Sequence, residues 1–114
     1  MHELSLISGL LDIVDTYAQT HGFERVNVLK LSFGRLSCID PEALKFAFDI
    51  QSQGSKAAGA LLQFDILPVV IYCLACEQEM TIKRYPSACP RCCGESIMLT
   101  GGTESLQLVE MDVD

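Results

Sequence analysis

Cys73-Leu-Ala-Cys76, followed after twelve residues by Cys89-Pro-Arg-Cys92, is the stretch on which the reading of this 114-residue chain turns. Two residues between cysteines make a turn tight enough to aim both sulfurs at one ion, and two such knuckles complete a tetrahedron. Four thiolates leave no open coordination position, so the pattern predicts a closed, structural zinc site at Cys73, Cys76, Cys89 and Cys92. Two other chemistries share the spacing: a pair of redox CxxC motifs, and iron in a rubredoxin-like tetrahedron. The segment is thin in core residues, with only Met80, Ile82, Tyr85 and Met98 at hand. Metal binding therefore has to supply its stability, roughly 10–16 kcal/mol apparent in comparable small zinc modules. Cys93 directly follows Cys92, and using it as the ligand instead would give a three-residue spacing, which knuckles adopt less often.

Working outward, the chain on both sides reads as an α+β domain. Leu4, Ile7, Leu10, Leu11, Val14, Tyr17 and Ala18 recur at three- and four-residue steps, which predicts an amphipathic helix from Glu3 to about His21. His21 suits the last turn as a cation-capable residue, and Gly22 suits a left-handed cap. Residues 24–33 alternate, with Val26, Val28, Lys30 and Ser32 on one face and Leu29, Leu31 and Phe33 on the other. Asp40-Pro41 is a helix start, a side-chain acceptor followed by a proline at the first helical position. That helix should run to about Gln53, with Leu44, Ala47, Phe48 and Gln51 on one stripe and Gly54 closing it. Strands are expected at Ala60–Leu67 and, after the Gly101-Gly102 turn, at Ser105–Met111. The architecture is then two helices packed on a small three-stranded sheet, with a four-cysteine zinc-ribbon module inserted between the second and third strands. The expected boundaries are 1–69 with 100–114 for the α/β domain and 70–99 for the zinc module. Cys38, in the loop before the second helix, is expected to be a small buried apolar residue.

Charge and composition exclude several function classes. A formal net charge of −7 repels phosphates, and near the cysteines Lys83, Arg84 and Arg91 are matched by Glu77, Glu79 and Glu95. No basic stripe for nucleic acid results. The longest greasy run, Ile66 to Tyr72, is too short to span a bilayer and contains Pro68. No basic region opens the chain, as a secretory signal would require. A cytoplasmic protein with reduced thiols is expected, where paired cysteines bind metal more often than each other. With two histidines, no Ser/His/Asp or Cys/His catalytic arrangement can be drawn, so an enzyme is not expected. A zinc-ribbon interaction module and a thiol–disulfide enzyme are the competing classes.

The opening Met1-His2-Glu3 has a chemistry of its own. The terminal amine, the His2 backbone nitrogen and the imidazole can close two adjoining chelate rings on one metal. Such nitrogen donors suit square-planar Ni(II) or Cu(II). A lone histidine at a frayed terminus carries no such meaning by itself.

The opening MHELSL, the segment Gly34 to Asp49 (GRLSCIDPEALKFAFD) and the CxxC…CPxC module, in this order, resemble the HypA/HybF family of nickel metallochaperones. The likeness covers essentially the whole chain. It implies a protein that binds Ni(II) at its N-terminus through His2, with Met1 and Glu3 contributing backbone nitrogen, and delivers it for [NiFe]-hydrogenase maturation, or in some organisms for urease. Zinc would sit at Cys73, Cys76, Cys89 and Cys92 in a structural role. The partners implied are a nickel-handling maturation GTPase and the [NiFe]-hydrogenase large subunit, with no nucleic acid, no membrane, and a monomer or weak homodimer. One departure is Cys93-Gly94, where many relatives have a single glycine after the second knuckle.

Overall fold

A computed structural model describes residues 2–83 and 85–114, the His2 side chain excepted. Met1, the His2 side chain and Arg84 thus lie outside the described residues. The elements run α1 (His2–His21), β1 (Val26–Gly34), α2 (Pro41–Gln51), β2 (Leu61–Leu67), β3 (Val69–Cys73), β4 (Gln78–Ile82), β5 (Ile97–Gly101) and β6 (Gln107–Val113). The chain folds as two compact units. One takes the chain up to Ser32 with Ile39–Asp65 and Leu106–Asp114; the other takes Phe33–Cys38 and Ile66–Ser105.

The first unit is the expected layer of two helices on a three-stranded sheet, with strand order β2-β1-β6. Its core joins Ile7, Leu10, Val14 and Ala18 of α1 to Val26, Leu29 and Leu31 of β1 and to Leu44, Ala47 and Phe48 of α2. Burying each of these large side chains is worth about 1.5–3 kcal/mol, which is why the three-four spacing in the helices is the dominant fold signal. Both helix ends are chemically defined. Gly22, at φ 74°, donates its N–H to the Ala18 carbonyl at 2.8 Å and caps α1. Asp40 accepts from the Glu42 N–H at 3.0 Å and starts α2 at Pro41. Helix α2 ends at Gln51, two residues before the expected Gln53, because Ser52 already serves as its cap.

The alternation along β1 breaks in one place. Its pairing with β6 slips between Val26 and Val28, and again opposite Val109. The first bulge turns Val26 onto the core side, fully buried with Leu29 and Leu31, instead of the Val28 face expected from simple alternation. Strand β6 sits two residues later than expected. Glu104 accepts from the Gly102 N–H at 2.8 Å and occupies the turn, while Asp114 exchanges backbone hydrogen bonds with Glu24 and Arg25.

The second unit holds a sheet that the sequence pattern does not announce, three antiparallel strands in the order β4-β3-β5. Strand β3 is central and alternates, with Val69, Ile71 and Cys73 buried. Segment 33–38 belongs to this unit and is tied by backbone bonds, Gly34 to Glu104 at 2.9 Å, Arg35 to Leu67 at 2.9 Å and Leu36 to Gly102 at 2.7 Å. At Gly34 a Cβ would strike the carbonyl of Gly102 and lie 2.6 Å from the Glu104 nitrogen. Both obstacles are backbone and cannot rotate away. Gly34→Ala should therefore destabilise the protein by about 1–3 kcal/mol, the usual cost of overpacking, read as a lowered urea midpoint. A midpoint unchanged from the parent would contradict this packing.

Candidate metal centre

The first knuckle is the loop of a β-hairpin. Cys73 is the last residue of β3 and pairs with Gln78, the first of β4, leaving Leu74 to Cys76 and Glu77 to turn the chain. Glu77 turns it at φ 54°. The second knuckle closes through Cys93 N–H to the Cys89 carbonyl and Cys89 N–H to the Gly94 carbonyl, both 2.8 Å, with Cys93 at φ 61°. The two knuckles thus share a device: the residue after each second cysteine takes the left-handed conformation that glycine adopts most easily. Leu74 N–H donates to the Ser96 carbonyl at 2.9 Å, and β5 pairs with β3 from Cys73 and Ile97 onward.

These turns bring the Sγ atoms of Cys73, Cys76, Cys89 and Cys92 within 4.8 Å of one another. Cys73 lies 3.7 Å from Cys92, and Cys76 lies 3.9 Å from Cys89. Four sulfurs each about 2.3 Å from a central zinc would stand about 3.8 Å apart, so the cluster fits a tetrahedral ion. Cys73 and Cys89 are buried, Cys76 is half-buried and Cys92 is exposed. Backbone N–H groups already point at three of the sulfurs, from Cys76 to Cys73, from Arg91 to Cys89 and from Gly94 to Cys92, each at 3.4 Å. The Met80 thioether packs 3.9 Å from the Cys89 sulfur.

Crowding splits the thiols electrostatically. The backbone N–H of Cys92, outweighing burial and helped by that of Arg91, lowers Cys89 to about 6. Hydrogen bonds shared with Cys73 and then Cys92 push Cys76 up to about 12. At Cys92 the Gly94 N–H favours the thiolate, but thiols shared with Cys73 and Cys89 outweigh it and the value rises. Cys89 gives up its proton readily, while Cys76 and Cys92 hold theirs. A cation is what allows them all to ionise.

The remaining residues named from the sequence fall as follows. Glu3 is half-buried in the first turn of α1. Its expected companions Met1 and the His2 side chain lie outside the described residues. His21 is in the last turn of α1, stacked on Tyr17 with ring centroids 5.9 Å apart. Cys38 is exposed, not buried: it holds φ 65° just after the turn that the Ser37 N–H closes on the Gly34 carbonyl, its thiol 3.8 Å from the Leu36 carbonyl. Left-handed backbone at this one residue of a surface loop accompanies its exposure, and nothing in the local sequence announces that geometry. Cys93 is exposed beside the cluster but outside it. No helix among the described residues is long and apolar enough to cross a membrane.

Fold and site together define a small metal-binding α+β protein that carries a four-cysteine ribbon. A family model described as hydrogenase/urease nickel incorporation, metallochaperone, hypA, matches residues 1–113. The hydrogenase maturation factor HypA of Syntrophus aciditrophicus (strain SB) is 49% identical over 114 residues, covering 100% of both chains. The hydrogenase maturation factor HybF of Salmonella typhimurium is 37% identical over 114 residues, again 100% of each. In fold, the chain resembles the solution structure of a HypA protein, with TM-score 0.72 at 21% identity, covering 99% of this chain and 96% of that one. It also resembles the solution structure of the Ni metallochaperone HypA from Helicobacter pylori, with TM-score 0.65 at 19% identity, covering 97% and 96%. The chain belongs to the HypA family of metallochaperones, which incorporate nickel into hydrogenase and urease.

Two measurements check the site. Cys92→Ser should lose zinc, whereas Cys93→Ser should keep it, by metal analysis of purified protein; equal loss from both would move the ligand to Cys93. At pH 7 zinc uptake should release at least two protons per chain, because Cys76 and Cys92 enter it protonated. Cys89, at about 6, is by then mostly ionised. Calorimetry in two buffers of different ionisation enthalpy counts those protons, and fewer than two would contradict the shared-proton cluster.

Proposed function

We propose that this chain is a nickel-delivery protein that takes Ni(II) at its amino terminus through Met1, His2 and Glu3. It holds a structural zinc at Cys73, Cys76, Cys89 and Cys92. The reading rests above all on a nickel-incorporation family model matching residues 1–113 of a chain whose second residue is histidine. With Met1 as the terminal residue, its amine, the backbone nitrogens that follow and the His2 imidazole form a square-planar nitrogen set. Support comes from the start of α1 at His2. The N–H groups of a first helical turn have no intrahelical acceptor, so the amides of His2 and Glu3 are free of that competition. Proton loss from amine, amide and imidazole makes such binding steeply pH-dependent and reversible, which suits a cargo.

The thiolate cluster does different work. Four sulfurs leave no position for substrate or water, so the zinc stabilises and does not catalyse, and the chain is not an enzyme. We assign the zinc module to residues 70–99 and the nickel-binding domain to 1–69 with 100–114, the second compact unit reaching beyond the module to 33–38, 66–69 and 100–105. Nitrogen donors favour copper over nickel intrinsically. Selectivity therefore comes from metal supply and from the partners, a nickel-handling GTPase and the [NiFe]-hydrogenase large subunit, with urease served in some members. The protein works in the cytoplasm, where thiols stay reduced, as a monomer or weak homodimer. Its charge of −7 keeps it off nucleic acid.

Nickel titration of the untagged protein, followed by absorbance or calorimetry, tests the reading. His2→Ala, and separately a few residues added before Met1, should each weaken nickel binding by more than about tenfold while zinc content stays constant. An extension turns the terminal amine into an amide and removes one donor of the chelate. Nickel affinity should fall as pH drops below about 6.5, where the imidazole takes a proton. Parent-like nickel binding by either variant would refute the terminal site.

A further inference from the structure

Helix α1 begins ahead of the core that stabilises the rest of it. Counting inward from His2, the first buried side chain among the described residues is Ile7. Glu3 is half-buried, Leu4 is 42% exposed and Ser5 is exposed. From His2 to Ile7 the helix runs about 7.5 Å, more than one turn. A turn without packing gains little against chain entropy, so it frays. A contact from α2 opposes that fraying. The Gln51 side-chain Nε2, in the last turn of α2, donates to the Leu4 carbonyl at 3.2 Å, across 47 positions of sequence. A carbonyl can only accept, so the end of the Gln51 amide that faces Leu4 is its NH2 group. In a regular helix the same carbonyl also accepts from the Ser8 N–H, and both of its lone pairs are then in use.

Gln51 stands on a firm base. Phe48, one turn before it, is buried, and so is Ser52 just after it, whose N–H closes α2 on the Phe48 carbonyl at 2.9 Å. The Ser55 N–H and hydroxyl then both donate to the Ser52 carbonyl, at 3.0 and 2.6 Å. The amide that reaches Leu4 is therefore anchored on both sides. Nickel chemistry gives this clamp a use. Two successive backbone nitrogens chelate one ion only when the torsion ψ between them is small, because the five-membered ring closes nearly flat. Helical ψ is about −42° and extended ψ about +135°, so a turn kept helical already lies close to the ring geometry. A frayed turn would have to be ordered by the metal, at a cost in affinity. We propose that Gln51 is a positioning residue for nickel: its amide pins the Leu4 carbonyl, keeps the first turn of α1 formed and presents the backbone nitrogens of His2 and Glu3 to the ion in order. This role rests on nickel binding at the amino terminus. Gln51 does not ligate the metal; it acts through Leu4.

The test measures nickel affinity by calorimetry on the untagged full chain and on Gln51→Met, which keeps the length and helix propensity of the side chain and removes the donor. Gln51→Met should bind nickel about threefold more weakly, the low end of what a hydrogen bond contributes, as suits an exposed one. Its nickel absorption band should match the parent's, because the ligands are unchanged. In the metal-free variant, amide exchange at Leu6, Ile7 and Ser8, whose N–H groups bond back into the first turn, should quicken by about threefold. Leu62→Val takes one carbon from the same core on β2, lowers stability without removing the donor, and should leave nickel affinity unchanged. The proposal is overturned if Gln51→Met binds nickel as the parent does, or if Leu62→Val weakens it equally. A shifted band in Gln51→Met would make Gln51 a ligand and overturn it too. His2→Ala separates the two failures. If His2→Ala loses nickel while Gln51→Met keeps it, the role of Gln51 falls alone; if His2→Ala binds as the parent does, the terminal site falls and this role with it.

Discussion

Four cysteine sulfurs held within 4.8 Å of one another are the constraint on which the second unit depends. That many thiolates repel strongly at such distances, and as thiols they share protons in a way that leaves one near 6 and another near 12. A bound cation removes the conflict. The sheet around them has short strands, and its apolar burial is confined to residues such as Phe33, Val69 and Ile71 beside Cys73 and Cys89. So small a core needs a cross-link, and the knuckles are built to receive one. Glu77 and Cys93 accept left-handed backbone, at roughly 1–2 kcal/mol each, because the turns that aim the sulfurs require it.

The first unit answers to different physics. Its stability comes from side chains of α1, α2 and β1 packed in one core, with Gly22 and Asp40 fixing where the helices stop and start. A unit that does not need metal to form can present a metal at its edge and let it go. The proposed division of labour follows from ligand chemistry: soft thiolates in a closed tetrahedron hold tightly, whereas nitrogen donors in a first helical turn titrate near neutral pH and release.

Much of this was legible in the sequence, for identifiable reasons. The three-four spacing from Ile7 to Ala18, the Asp40-Pro41 start and the Gly22 cap are local signals, and local structure followed them. The CxxC spacing located the cluster because two residues between cysteines permit few geometries. The second sheet was not legible. Strand β3 begins straight after Pro68 and ends in Cys73, so its alternation spans only five residues, and β4 and β5 are half-exposed strands with little contrast between faces. The bulges at Asn27 and Val109 were equally silent, since they arise from pairing between distant strands and not from either strand alone. Cys38 misled because free cysteine is usually buried, and here it is exposed on left-handed backbone in the loop before α2.

X-ray absorption at both metal edges, on one sample loaded with zinc and nickel, tests the division of labour most directly. The zinc edge should show sulfur ligands only, at about 2.3 Å. The nickel edge should show nitrogen or oxygen in a square-planar shell with no sulfur. Sulfur around nickel, or nitrogen around zinc, would mean that the two metals share ligands, and the separation of a structural site from a delivery site would fail.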